Sequence, residues 1–141
     1  MIAVDTNLLV CLYVDDGERQ STKQREIVIK IFAEADELFV AKSVVLELEW
    51  VLRGFYKFDR EQIARALTHL LGLENIAIED ESVVTEALKH YQKGLDFADA
   101  LHCASSSHSK RMLTFDRKFA ARAKRSGVKL LISVPDQTTA L

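Results

Sequence analysis

The chain has 141 residues, the length of one domain, and a domain of this size buries a hydrophobic core without disulfides or structural metals. Hydrophobic residues make up 48% of the sequence, prolines and glycines are few, and no repeat is present, which excludes solenoids and long disordered segments. The net charge of −2 excludes a uniformly basic nucleic-acid-binding protein.

No apolar stretch approaches the roughly 20 residues that a membrane span requires. The start of the chain also lacks the basic segment and cleavage site of a signal peptide. We therefore expect a cytoplasmic protein without a membrane partner. Cys11 and Cys103 are the only cysteines, and both have apolar neighbours. We expect two reduced core thiols rather than a disulfide or a zinc site.

The first half of the chain alternates short apolar strands with helices. Ile2 to Val4 is predicted as a buried strand that ends at Asp5, a residue type that favours helix N-caps. Further predicted elements are helices at 8–14 and 24–36 around a loop at 15–18, a strand at 38–41, a helix at 44–55 capped by Ser43, and a helix at 59–71 capped by Asp59.

The second half continues the alternation. The predicted elements are a strand at 76–78, helices at 82–93 and 96–107, a strand at 112–115, a helix at 117–126 and a strand at 128–132. Short apolar strands joined by crossover helices indicate a parallel sheet covered on both faces. The expected fold is α/β: a three-layer α/β/α sandwich with a central, mainly parallel sheet of four or five strands, in a single domain spanning 1–141.

Four acidic residues fall where such a sheet binds ligands. Asp5 follows the first strand and Asp116 follows the fourth, and open α/β sheets bind ligands outside the carboxyl ends of their strands. Asp99 lies in the first turn of a predicted helix, whose dipole favours a carboxylate. Glu47 lies early in the helix after the second strand. The four side chains are therefore candidates for one site.

Such a cluster requires a cation, because neighbouring carboxylates repel one another. Oxygen ligands without a Cys or His cluster favour Mg²⁺ or Mn²⁺ over zinc. One or two ions would orient a water molecule and lower its pKa for attack on a phosphodiester.

Each acid, taken singly, has another explanation. Asp5, Asp96 and Asp116 are also suited to be helix caps. Glu47 and Glu49 are also suited to be helix-surface residues. The hypothesis of one site therefore depends on the four positions taken together.

Several aromatic residues lie in and after the helix at 44–55. We expect Trp50 in the core or in a dimer contact rather than as a base-stacking platform. Phe55, Tyr56 and Phe58 are expected in the core, with a partner-binding surface as the alternative.

Four segments, in order, resemble the motifs of the PIN domain family, and in particular of VapC-type toxins from prokaryotic toxin–antitoxin pairs. The segments are Ala3-Val4-Asp5-Thr6-Asn7, Val44-Val45-Leu46-Glu47-Leu48-Glu49-Trp50-Val51-Leu52, Asp96-Phe97-Ala98-Asp99-Ala100-Leu101 and Thr114-Phe115-Asp116-Arg117-Lys118-Phe119. Each is weak alone, but together they span essentially the whole chain.

The resemblance implies a Mg²⁺- or Mn²⁺-dependent endoribonuclease that cleaves RNA and so arrests translation. By motif match, the metal ligands and catalytic acids are Asp5, Glu47, Asp99 and Asp116. Positions that support these acids are Thr6, Asn7, Asp96 and Thr114. The resemblance also implies a homodimer, a VapB-like antitoxin that blocks the site, and binding to operator DNA only through that antitoxin.

The segment from Lys110 to Lys129 is strongly basic, and Asp116 is its only acid. Basic residues after Asp116 are expected to guide the RNA backbone. The candidates are Arg117, Lys118, Arg122 and Arg125. A solvated helix face is the alternative explanation.

Other functions remain open at this point. The chain is also compatible with a non-toxin RNA-processing PIN nuclease, or with a module that binds RNA or an antitoxin without cleavage. A metal phosphatase or a DNA-specific nuclease on a similar sheet is a third possibility. A haloacid-dehalogenase-type phosphatase would need a second Asp two residues after the first, where this chain has Asn7.

Overall fold

The structure is a computed structural model. It describes residues 1–15, 17 and 19–141, so the predicted loop at 15–18 falls partly outside it, at Asp16 and Glu18. The chain divides into two compact units, Met1–Glu81 and Ser82–Leu141.

The first unit contains three short strands and four helices. In chain order they are β1 (Ile2–Ala3), α1 (Thr6–Tyr13), α2 (Arg19–Glu34), β2 (Leu38–Val40), α3 (Lys42–Gly54), α4 (Arg60–Gly72) and β3 (Ile76–Ile78). The strands form a parallel sheet in the order β1-β2-β3, with Ile2 opposite Leu38 and Leu38 opposite Ile76. Both strand-to-strand connections therefore pass through helices, as parallel pairing requires.

The core of the first unit lies under its helices. Helix α1 packs against α2 and α3, and α3 packs against α4. The apolar side chains of these helices recur every three or four residues, which places them on one face. The most deeply buried are Leu9, Leu38, Leu48, Leu52, Ile63, Leu67 and Leu70.

The second unit contains two strands and three helices: α5 (Glu81–Gln92), α6 (Phe97–Ser105), β4 (Arg111–Leu113), α7 (Arg117–Arg125) and β5 (Leu131–Ser133). Strands β4 and β5 pair in parallel, with Arg111 opposite Leu131. Phe97 is fully buried at the start of α6, and its ring meets the ring of Tyr91 edge to face, with centroids 5.6 Å apart.

The α/β character and the parallel pairing of the strands are confirmed. The prediction of one sheet of four or five strands differs from the observed hydrogen bonding, which joins β1–β3 in one sheet and β4 with β5 in another. The second helix begins at Arg19, five residues before its predicted start. Periodicity fixes a helix more reliably than it fixes the helix ends.

The start of α3 corrects another prediction. Ser43 lies inside the helix, and the N-cap position is occupied by Ala41, which has no capping side chain. The carboxylate of Glu79, just after β3, instead accepts a hydrogen bond from the Lys42 N–H at 2.9 Å. This long-range contact satisfies one of the N–H groups that a helix start leaves without an internal partner.

Helix α4 carries the predicted cap. The Asp59 carboxylate accepts a bond from the Gln62 N–H at 2.8 Å, and the Gln62 side chain accepts one from the Asp59 N–H at 2.9 Å. This reciprocal pair is a capping box. We expect Asp59→Ala to lower the free energy of unfolding by about 1 kcal/mol, measured by urea denaturation. Glu61→Ala, in the first turn of the same helix, is the control and should change it by less than about 0.5 kcal/mol.

Cys11 and Cys103 are both free; Cys103 lies in the core as predicted, whereas Cys11 is only half-buried and is not a core residue. Burial raises the pKa of Cys103 to about 11, so this thiol stays protonated and is a poor nucleophile at neutral pH. Two aromatic residues lie outside the core, so a dimer contact for Trp50 and a partner-binding surface for Phe55 stay predictions. Trp50 is 62% exposed and Phe55 is 73% exposed, so neither belongs to the core.

Across the part of the chain that the structure describes, no helix has the length and apolar character needed to cross a membrane.

Candidate active site

Asp5 occupies the junction between β1 and α1. It is the N-cap of α1, and one of its carboxylate oxygens accepts a bond from the Thr6 N–H at 2.7 Å. The side chain is exposed, so its other oxygen faces no burial cost on binding a ligand. The sequence offered a cap and a ligand as alternatives for Asp5, and the geometry allows both at once.

Thr6 and Asn7 follow Asp5 in the first turn of α1. Thr6 is only 3% exposed, and its hydroxyl oxygen has no hydrogen-bond partner among the described residues. Asn7 is exposed. A buried hydroxyl without a partner is costly, which makes Thr6 the better placed of the two to serve a neighbouring ligand or water molecule.

Helix α3 carries two acids with opposite environments. Glu47 is exposed, whereas Glu49 is 2% exposed and pairs with Arg53, whose Nε lies 2.8 Å from a Glu49 oxygen. The alternative explanation of Glu49 as a helix-surface residue is therefore excluded. It lies on the same helix face as Val45, Leu48 and Leu52, which are buried. Glu47 is consequently the acid of this motif that is available to a ligand.

One ion pair at the same edge of the sheet was missed from the sequence. Lys42 Nζ lies 2.9 Å from an Asp80 oxygen, and this hydrogen bond raises the pKa of Lys42. Both residues follow strands, as Asp5 does, and Asp80 adopts a positive φ of 49°. The position of Asp80 after a strand was a usable signal, but its partner is 38 residues away and no local pattern links them.

The acids of the second unit are held by helix starts. Asp96 is the N-cap of α6 and accepts a bond from the Asp99 N–H at 3.3 Å. Asp116 is the N-cap of α7 and accepts one from the Phe119 N–H at 2.9 Å. Thr114 supports this turn, because its hydroxyl oxygen accepts a bond from the Asp116 N–H at 3.0 Å.

Asp99 is the most perturbed of these carboxyls. Its pKa is raised first by burial and then by the negative charges of Asp96 and Asp116, while His102 and Arg122 act in the opposite direction. Burial and the two neighbouring negative charges therefore outweigh His102 and Arg122, and the charged form of Asp99 is disfavoured. The structure thus brings Asp96, Asp99 and Asp116 into one electrostatic cluster, which we call the unit-2 acid cluster.

The four predicted metal ligands are divided between the units. Asp5 and Glu47 belong to the first, and Asp99 and Asp116 belong to the second. Within the described residues, no group of three or more His, Cys, Asp or Glu side chains is assembled closely enough to hold a metal ion. That the four acids form one ligand set stays a prediction.

Helix α7 presents a basic surface beside the unit-2 acid cluster. Its apolar side, Phe119 and Ala123, is buried. The four predicted cations are all exposed: Arg117, Lys118, Arg122 and Arg125. Arg122 is close enough to lower the pKa of Asp99 by its charge. A binding role for these cations remains a prediction.

Comparison with known proteins identifies the family of this chain. Residues 2–125 match the family model described as the PIN domain. The chain is also 27% identical to a protein named "VapC ribonuclease" from Aquifex aeolicus (strain VF5), over 124 residues that cover 84% of this chain and 90% of that relative. The matched residues include all four acidic motifs and both acids that cap helices in the second unit, Asp96 and Asp116. The chain therefore belongs to the PIN domain family.

Proposed function

We propose that this protein is a metal-dependent endoribonuclease, a single nuclease domain that acts as the toxin of a VapBC-like toxin–antitoxin pair. The observation that carries the proposal is the unit-2 acid cluster, where the charged form of Asp99 is disfavoured. The exposed cations of α7 lie beside this cluster, and one of them, Arg122, partly offsets the effect. A carboxylate cluster next to a basic surface suits a divalent cation and a phosphodiester together. The PIN family match and the VapC relative support the same reaction class.

The ligand set that we propose for Mg²⁺ or Mn²⁺ is Asp5, Glu47, Asp99 and Asp116. Their carboxylate oxygens are the hard donors that these ions prefer. Burial is the main cause of the raised pKa of Asp99, and repulsion by Asp96 and Asp116 adds to it. A bound cation would relieve that repulsion. When bound, such an ion makes a water molecule more acidic and neutralises charge on the phosphodiester.

The residues around the acids have distinct proposed tasks. Asp96 caps α6 and so fixes the turn that carries Asp99, and Thr114 fixes the turn that carries Asp116. Thr6 and Asn7 support Asp5. Arg122 offsets negative charge at Asp99 and contacts the RNA backbone. The remaining backbone contacts that we propose are Arg117, Lys118 and Arg125.

The proposed partners are an RNA substrate, a VapB-like antitoxin and a second copy of the chain, with operator DNA bound only through the antitoxin. The support is the name of the curated relative together with the four motifs. The proposed location is the cytoplasm. Expression of the chain alone is expected to arrest growth, and co-expression of its antitoxin is expected to restore it.

The reaction is tested with the purified chain and a labelled single-stranded RNA. Cleavage is expected with Mg²⁺ or Mn²⁺ and is expected to stop in excess EDTA. Because the ion also relieves repulsion among the acids, Mg²⁺ or Mn²⁺ should raise the Tm. Full cleavage in EDTA would contradict metal dependence. Single-stranded DNA and a phosphomonoester are the control substrates and should not be cleaved.

A further inference from the structure

A pocket lined by both aromatic and polar side chains lies in the first unit, at the far end of α1 from Asp5. It has a volume of about 340 Å³ and is lined by Tyr13, Phe58, Gln62, Arg65, Ala66 and His69. Residues 62, 65, 66 and 69 recur at helical spacing, so one face of α4 forms the floor of the pocket. We call it the α4 pocket.

The polar groups of the α4 pocket converge as hydrogen-bond donors. Burial raises the pKa of Tyr13, so its hydroxyl keeps its proton and needs an acceptor. His69 Nδ1 lies 2.8 Å from the Tyr13 oxygen, and we infer that the Tyr13 hydroxyl donates a hydrogen bond to Nδ1. With Nδ1 accepting this bond, the ring proton of His69 lies on Nε2, which can then donate to a ligand. Tyr13 therefore sets the hydrogen-bonding character of His69.

Gln62 and Arg65 add donors to the same face of α4. The Gln62 oxygen is used by the capping box with Asp59, which leaves the amide NH₂ of Gln62 as its available end. Arg65 Nη1 pairs with Glu61 at 3.0 Å, but both side chains are exposed and such a pair contributes little to stability. A stronger anion would displace it. The described residues that line the pocket include no carboxylate.

Two aromatic rings complete the pocket. Phe58 lines it just before α4, and Tyr13 lines it from the end of α1. Aromatic surfaces stack on nucleobases, while donors and guanidinium groups bind phosphate. The combination of rings with donors fits a nucleotide better than it fits an acidic peptide, which offers carboxylates but no flat base.

From this arrangement we propose that the α4 pocket binds one nucleotide of the RNA substrate, away from the bond that is cut. The phosphate would contact Arg65, Gln62 and His69, and the base would stack on Phe58. The inference rests on the proposed function for the identity of the substrate. Helix α1 has eight residues, so the pocket lies about 12 Å from Asp5 along its axis. That distance corresponds to about three or four nucleotides of a stacked strand.

Binding is measured separately from cleavage, in the full chain carrying Asp99→Asn. The Kd for a labelled single-stranded RNA is determined by fluorescence anisotropy at several salt concentrations. We expect Arg65→Gln to weaken binding by about tenfold and to reduce the slope of log Kd against log salt by about 0.7, the loss of one phosphate contact. The matched control Arg60→Gln removes a guanidinium from the same helix, outside the pocket, and should change Kd by no more than about twofold.

Tyr13→Phe separates the positioning role of Tyr13 from packing, because it keeps the ring and removes only the hydroxyl. Binding should weaken by about two- to fivefold. The ¹⁵N chemical shifts of the His69 ring should change from one tautomer to a mixture. An unchanged His69 spectrum would contradict the role assigned to Tyr13.

Small probes identify the class of ligand. Adenosine monophosphate should shift the NMR signals of both Phe58 and His69. Signals that respond to inorganic phosphate alone, or to an acidic peptide and not to the nucleotide, would overturn the proposal. So would equal losses in Arg65→Gln and Arg60→Gln. If the unmodified chain cleaves no RNA with any divalent ion, the proposed function is rejected. If the chain cleaves RNA normally and Arg65→Gln has no effect on RNA binding, only the proposed role of the α4 pocket is rejected.

Discussion

Replacing Asp99 with Asn is expected to reduce RNA cleavage by about 100- to 1,000-fold or more, as when one charge-stabilising group is removed from an active site. Asn preserves the size of the side chain and removes one negative charge from the unit-2 acid cluster. The ligand set for the proposed cation is thereby weakened. Cleavage rates are compared with the unmodified chain at saturating Mg²⁺ and at saturating Mn²⁺.

The same substitution is expected to stabilise the protein when no metal is present. The pKa of Asp99 is raised, which means that its charged form is disfavoured in the folded state at neutral pH. Asn removes that penalty, so the Tm in EDTA should rise, while the increase in Tm on adding Mg²⁺ should become smaller. Glu86→Gln, at an exposed acid of α5, is the control and should leave cleavage unchanged. Full activity of Asp99→Asn would eliminate the proposed mechanism.

Replacing Phe97 with Ala should produce the largest loss of stability among the predicted changes. Phe97 is completely buried, with 0% of its surface exposed to solvent, and its ring packs against Tyr91. Truncation of such a ring leaves a cavity and typically costs about 3–5 kcal/mol. The free energy of unfolding is measured by urea denaturation, and for a chain of this size the Tm should fall by about 6–20 °C.

Phe55→Ala is the matched control for this change. Phe55 is 73% exposed, so the same truncation removes little buried surface and should cost less than about 0.5 kcal/mol. A loss below about 1 kcal/mol for Phe97→Ala would contradict its role at the centre of the second unit. Because Phe97 lies between Asp96 and Asp99, its truncation should also weaken binding of the proposed metal ion in the folded protein.

The sequence predicted most of the local structure, because local structure depends on periodicity and on caps. The strand at Ile76–Ile78 has the predicted bounds, and Asp59 and Asp96 cap the helices that they were expected to cap. The cap at Ser43 failed, because the N–H of Lys42 is satisfied by Glu79 from 37 residues away. Contacts between distant segments leave no trace in a local pattern.

In the candidate site, too, local features were predicted from the sequence and contacts between distant residues were not. Asp5, Asp99 and Asp116 were proposed as site residues from their positions after strands and in a helix start, which are local features. The burial of Glu49 was not found, because it depends on which face of α3 packs against its neighbours. The pairing of Tyr13 with His69 was not found either, because its two residues are 56 positions apart.

The start of α3 depends on Glu79, which lies 37 residues after Lys42 in the chain, and this affects how the protein folds during its synthesis. During synthesis, the residues of α3 leave the ribosome well before Glu79, so the helix start first exists without the carboxylate that satisfies the Lys42 N–H. Short helices without tertiary support are marginal in water. The position of Glu47 should therefore become fixed only after β3 has joined the sheet. A nascent chain that ends before residue 79 would therefore hold Glu47, a proposed metal ligand, on a helix whose start is not yet stabilised.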